Sequence, residues 1–220
     1  MAYAVPYSAI IFDLDGVIID SETLHNAAVG AAMQQYGVLL PPTIYAEFLG
    51  TPDEVFLDYA SRTYLGGKVP AAALLAEKQR IYSQLQDQVT SIPGALDFLR
   101  LARQHVRAMA LVTSSVRYNQ ELAFAKFSLA PCFDVVVTAE DVKQPKPHPE
   151  PYLTAVVRLG IPAGECLVIE DSLHGITSAR IAGCHTLGLT TSYGAEALVA
   201  AGAETVCTSY DEIAACVLGT

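Results

Sequence analysis

Between residues 95 and 189 short apolar runs alternate with helical stretches, and this alternation restricts the fold more than any other feature of the chain. After Ile92-Pro93-Gly94 the pattern predicts helix from Ala95 to Gln104, strand from Ala108 to Thr113, helix from Asn119 to Phe127 and strand from Val135 to Thr138. It continues with helix Pro151 to Leu159, strand Leu167 to Glu170, helix Leu173 to Ala182 and strand Thr186 to Leu189. Strands this short and apolar, each followed by a helix, predict the α/β class with a parallel sheet covered on both faces. An earlier buried strand, Ser8 to Phe12, runs into the turn-forming pair Asp15-Gly16.

The texture changes just after Asp20. From about Ser21 to about Thr90 the chain reads as helices only, with starts at Ser21, Pro42, Pro52 and Pro70 and apolar residues at helical spacing such as Leu74, Leu75, Ile81 and Leu85. A chain of 220 residues suits one core with a smaller inserted domain. The expected division is a core of residues 1–20 and 91–220 and a helical insert of residues 21–90, with hinges near Asp20 and Ser91 that let the insert close over the core.

Composition excludes several classes of function. Hydrophobic residues make up 52% of the chain. Charged residues nevertheless interrupt every apolar run before the roughly 18 residues of a membrane span. Asp13 and Asp15 follow Ile10-Ile11-Phe12 directly, which is not the pattern of a secretory leader, and the expected location is the cytoplasm. Five scattered cysteines without a CxxC pair point to buried thiols rather than to disulfides or zinc. A net charge of -10 is a poor footprint for nucleic acid or an anionic membrane, so the expected partner is a small molecule, bound by a monomer or homodimer.

In parallel sheets ligands bind at the carboxyl ends of the strands. Asp13 and Asp15 close the first strand, and residues two apart on an extended chain face the same way. Thr113 and Ser114 close the next, Glu170 and Asp171 close another, and Lys146 stands between Pro145 and Pro147. Each has a plainer reading: solvated loop acids for Asp13 and Asp15, a helix cap for Glu170-Asp171, an exposed amine for Lys146 and a strand-end residue for Thr113. Their convergence on strand ends favours a shared site.

Taken in order, Asp13-Leu14-Asp15-Gly16-Val17, the Thr113 hydroxyl, Lys146-Pro147 and Glu170-Asp171-Ser172 resemble the four motifs of the haloacid dehalogenase superfamily. The resemblance spans Ile10 to about Leu189 and implies a Rossmann-like core with a small helical cap. Asp20-Ser21-Glu22 and Leu24-His25 resemble the branch that holds β-phosphoglucomutase and small sugar-phosphate phosphatases. That likeness implies a place near the leaving group for His25 and a substrate contact for Lys78, which stands at a matching spacing from Tyr82. His148 and His174 receive no role.

The chemistry of these residues points the same way. An ionised Asp13 can attack phosphorus without a base, and the acyl phosphate it forms is labile to water. Asp15 is the neighbouring acid and base for leaving group and water. A phosphate dianion among Asp13, Glu170 and Asp171 meets repulsions on the order of 4 kcal/mol each at about 4 Å. A divalent cation answers this. Oxygen ligands from Asp13, the Asp15 carbonyl and Glu170 or Asp171 predict Mg2+, while Lys146, Thr113 and Ser114 bind the phosphate.

The expected activity is hydrolysis of small phosphate monoesters, sugar phosphates foremost. The alternatives are a β-phosphoglucomutase-type phosphate shift and phosphate binding without turnover. A mutase must hold a second phosphate, yet the run Gly50-Thr51-Pro52-Asp53 places an acid where the mutase pattern has arginine, and Val116 replaces its lysine with only Arg117 nearby.

Overall fold

The computed structural model describes residues 7–48 and 53–219, apart from the side chains of Ala46 and Gln86. The chain divides into two compact units, Met1–Asp20 with Thr90–Thr220 and Ser21–Val89.

Among the described residues the first element is β1 (Ala9–Phe12), whose four residues are wholly buried, and the chain turns into the short β2 (Ile19–Asp20). The helical unit follows with α1 (Glu22–Gln34), α2 (Thr43–Glu47), α3 (Asp53–Leu65) and α4 (Ala71–Leu85). Back in the first unit come β3 (Thr90–Ser91), α5 (Ala95–Ala102), β4 (Ala108–Val112), α6 (Arg117–Phe127), β5 (Val135–Val137) and α7 (Glu150–Leu159). The chain then runs through β6 (Cys166–Glu170), α8 (Leu173–Ile181), β7 (His185–Leu189), α9 (Ala195–Ala201), β8 (Thr205–Cys207) and α10 (Tyr210–Leu218).

Six strands form one sheet in the order β5-β4-β1-β6-β7-β8, and every pairing in it is parallel. β1 therefore lies inside the sheet with Ile11 opposite Ala110 and Val168. Burial on both faces explains why β1, β4 and β6 read as continuous apolar runs, each buried Ile, Leu or Val contributing about 1.5–3 kcal/mol. The sheet extends beyond the predicted strands by β8, a three-residue edge strand whose Thr205 is exposed. Its shortness leaves little periodicity to read.

β2 and β3 pair antiparallel, Ile19 with Ser91 and Asp20 with Thr90, so the chain leaves and re-enters the first unit through adjacent strands. In the helical unit Val29, Met33, Phe56, Leu57, Ala60 and Leu74 form a separate core. The buried stripe of α4 runs Leu74, Lys78, Tyr82, so of the apolar residues named for this helix Leu74 is buried, Leu75, Ile81 and Leu85 are half-buried, and a lysine joins the stripe. Helix starts expected at Ser21, Pro42 and Pro70 fall within a residue of observed ones, whereas Pro52 lies outside the described residues. Among the described residues, no helix is long and apolar enough to cross a membrane.

Candidate active site

The carboxyl ends of β1, β4 and β6 stand side by side in the sheet, which brings Asp13, Thr113, Glu170 and Asp171 together. Asp13 follows β1, and its N–H donates to Ile169 O of β6 at 3.1 Å. Lys146 arrives from the loop between β5 and α7, through a cis bond to Pro147. Its ammonium donates to Asp13 Oδ1 at 2.7 Å, Glu170 Oε1 at 2.7 Å and Val112 O at 3.1 Å, so all three of its protons are used. The lysine side chain is only 6% exposed, so these charge-assisted contacts form away from water.

Glu170 is fully buried and saturated with donors. Oε1 also accepts from the Tyr152 hydroxyl at 2.8 Å, while Oε2 accepts from Asp171 N, Ser172 N and Ser172 Oγ at 3.1, 3.0 and 2.9 Å. Ser172, rather than Glu170 or Asp171, caps α8 by accepting from Gly175 N at 3.0 Å. A side chain at Gly175 would drive into the Glu170 carboxylate. Asp171 accepts from Ser192 Oγ, in the loop after β7.

Gly16 turns the chain away from Asp15 with φ at 76°, in the left-handed region that glycine enters freely. A side chain there would also strike the Asp171 carboxylate. Asp15 is half-buried and accepts from Ser115 Oγ at 2.8 Å. Thr113 Oγ1 accepts from Ser115 N at 2.9 Å, leaving the hydroxyl proton to donate elsewhere. Ser114 is exposed.

Oxygens of Asp13, Glu170 and Asp171 lie within 4.8 Å of one another. Three carboxylates so close, with one ammonium among them, are short of positive charge. Burial pushes Asp13 up to about 7 against the pull of Lys146, with Glu170 and Asp15 adding repulsion. Burial and the Glu170 charge likewise raise Asp171 well above the carboxylate range. Burial also opposes the charge on Glu170, but Lys146 and the Ser172 N–H outweigh it and hold that carboxyl below its usual value.

His25 and Lys78 belong to the helical unit. Lys78 Nζ lies 2.6 Å from His25 Nδ1 and donates to Asp53 Oδ2 at 2.6 Å, while the His25 ring stacks on Tyr82. Arg117 donates to Asp141 at 2.6 Å, and its backbone N–H is held by Glu140. Gly50, Thr51 and Pro52 lie outside the described residues.

Sequence reasoning missed Ser115, Tyr152 and Ser192. Ser115 adjoins a recognised motif and was within reach, whereas Tyr152 sits inside an ordinary amphipathic helix and only the fold brings it to Glu170.

A parallel sheet that gathers buried acids, a hydroxyl and one lysine at its strand ends defines a phosphate-handling α/β protein of the kind described by the four motifs. The chain belongs to the haloacid dehalogenase-like hydrolase family, whose model matches residues 10–189. It is 32% identical over 198 residues to the validoxylamine A 7'-phosphate phosphatase of Streptomyces hygroscopicus subsp. limoneus, covering 89% of this chain and 91% of that one. It is 30% identical over 177 residues to the fructose-1-phosphate phosphatase of Escherichia coli (strain K12), covering 80% and 93%. The crystal structure of a candidate β-phosphoglucomutase from Thermotoga maritima superposes with a TM-score of 0.76 at 27% identity, covering 91% of this chain and 94% of the other.

Proposed function

We propose that this chain hydrolyses small phosphate monoesters, sugar phosphates foremost, through a phosphoaspartate on Asp13 with Mg2+ as cofactor. The observation that carries the reading is the Lys146 ammonium, held 2.7 Å from both Asp13 and Glu170 within a buried cluster of three carboxylates. The two relatives named as phosphatases of phosphorylated small molecules support it.

The donor set fits a hard divalent cation, because it offers oxygens only and burial of surplus negative charge raises Asp13 and Asp171. Asp13, Asp171 and the backbone carbonyl of Asp15 would hold it, with Glu170 beside them already engaged by its donors. When bound, the ion supplies positive charge against the phosphoryl oxygens.

Asp13 attacks phosphorus, forming an acyl phosphate bond as the ester P–O bond breaks, and Asp15 gives its proton to the departing alkoxide. Ser115 holds the Asp15 carboxyl in place by its hydrogen bond to Oδ2. Water then attacks the same phosphorus, Asp15 takes its proton, and phosphate leaves with Asp13 restored. Lys146, held on Asp13, supplies positive charge beside the phosphoryl group, and the free Thr113 hydroxyl proton orients its oxygens, since such transfer depends mainly on positioning and charge.

A phosphate shift of the mutase kind needs free cations for a second phosphate. Both candidates are matched by acids, Lys78 by Asp53 and Arg117 by Asp141, which favours hydrolysis.

The test is turnover of p-nitrophenyl phosphate and a panel of sugar phosphates, with Mg2+ and with chelator, by wild type and Asp13→Asn. Inorganic phosphate should appear, and vanish with chelator or in the variant. Conversion of β-glucose 1-phosphate to the 6-phosphate with little free phosphate would overturn the hydrolase reading.

A further inference from the structure

The geometry points to Tyr152 as a positioning residue for Lys146, acting through Glu170; the inference rests on the phosphoryl-transfer reading above. Tyr152 lies on α7, fully buried among apolar residues that include Ala110, Val112, Ala155 and Val168. Phenylalanine would fill such a place equally well, so the hydroxyl calls for a reason. It donates at 2.8 Å to Glu170 Oε1, the same atom that accepts from Lys146 at 2.7 Å.

The two oxygens of Glu170 are held differently. Oε2 is fixed by Asp171 N, Ser172 N and Ser172 Oγ, whereas Oε1 meets two side chains. One of these, Lys146, is a flexible four-carbon arm that must hold its ammonium on Asp13. The other, Tyr152, is a rigid ring locked in the core. With the phenol on Oε1 the carboxylate has a fixed direction and the lysine follows it. Without the phenol the carboxylate can swing with the lysine. The Tyr152 ring adds to the effect, its centroid 5.0 Å from the ammonium.

The test compares wild type, Tyr152→Phe, Glu170→Gln and the double variant, with Asp13→Asn as control. Tyr152→Phe keeps the ring and removes one oxygen. Its kcat on a phosphate monoester should fall about tenfold or more, the value of a hydrogen bond to a buried charge, with KM within about twofold. The double variant should be no slower than Glu170→Gln, because the hydroxyl acts only through that carboxylate. In 15N-labelled protein without substrate, the Lys146 ammonium resonance should exchange with water faster in Tyr152→Phe.

Wild-type kcat in Tyr152→Phe, or losses that multiply in the double variant, overturn the assignment. If Tyr152→Phe does not fold, Glu170→Gln against the double variant decides, since no carboxylate is then left short of a donor. If Asp13→Asn keeps full turnover, the phosphoaspartate reading falls, and the ammonium resonance alone decides whether Tyr152 holds the lysine.

Discussion

Among the described residues two lysines are buried, one in each unit, and their surroundings differ in charge balance. Lys146 meets Asp13 and Glu170 with Asp171 close by, three acids to one ammonium, and its two direct partners are 10% and 0% exposed in their side chains. Lys78 meets one acid, Asp53, which is 37% exposed, together with the His25 ring. Each ammonium also lies near a tyrosine ring, at 5.0 Å for Lys146 and 5.3 Å for Lys78. Burial and an aromatic neighbour therefore do not separate the two. What separates them is surplus negative charge, which structural stability alone does not favour and which a bound divalent cation would use.

That contrast can be broken by substitution. The largest effect is expected at Asp15→Asn, which keeps the shape of the Lys146 region but removes the proposed acid and base. Steady-state kinetics should show kcat for an alkyl phosphate falling about a hundredfold to ten-thousandfold, and less for p-nitrophenyl phosphate, whose leaving group needs less help. Lys146→Met should lower kcat on the order of a hundredfold to a thousandfold. Urea denaturation should show it also costing about 3–5 kcal/mol of stability, because Glu170 stays buried without its cation.

Lys78→Met sharpens the comparison from the other side. Asp53 can take up water, so the loss in urea should be about 1–3 kcal/mol, with p-nitrophenyl phosphate turnover within about threefold of wild type. A loss of turnover as large as that of Lys146→Met would abolish the distinction. The smallest effect is expected at Asp141, whose carboxylate receives the Thr138 N–H and hydroxyl and pairs with Arg117 and Arg158. Burial works against this charge, but those donors hold the carboxyl at about 2. Asp141→Ala should cost about 1–2 kcal/mol at neutral pH. A group with a depressed value stabilises above its ordinary value and ceases to as pH falls through the folded one, so the two proteins should converge toward pH 2.

The parallel sheet was legible because β1, β4 and β6 are buried on both faces, which forces unbroken apolar runs. The grouping of Asp13, Thr113, Lys146 and Asp171 was legible because strand ends in such a sheet share one edge. Tyr152 was not, since a hydroxyl within a helix carries no local sign of the carboxylate it will reach eighteen positions along. The burial of Lys78 was not legible for a related reason: helical spacing counts apolar residues, and a lysine whose charge is met by Asp53 and His25 can replace one.

The place of β1 within the sheet also bears on how the protein is made. Ala9 pairs with Ala108 on one side and with Cys166 on the other, so β1 waits for partners synthesised far later. The helical unit, contained within Ser21–Val89, needs no such wait. A nascent chain still lacking β6 therefore carries Asp13, the proposed nucleophile, after a strand with one side unpaired, and the capacity to bind phosphate should arise abruptly, once β6 has emerged from the ribosome.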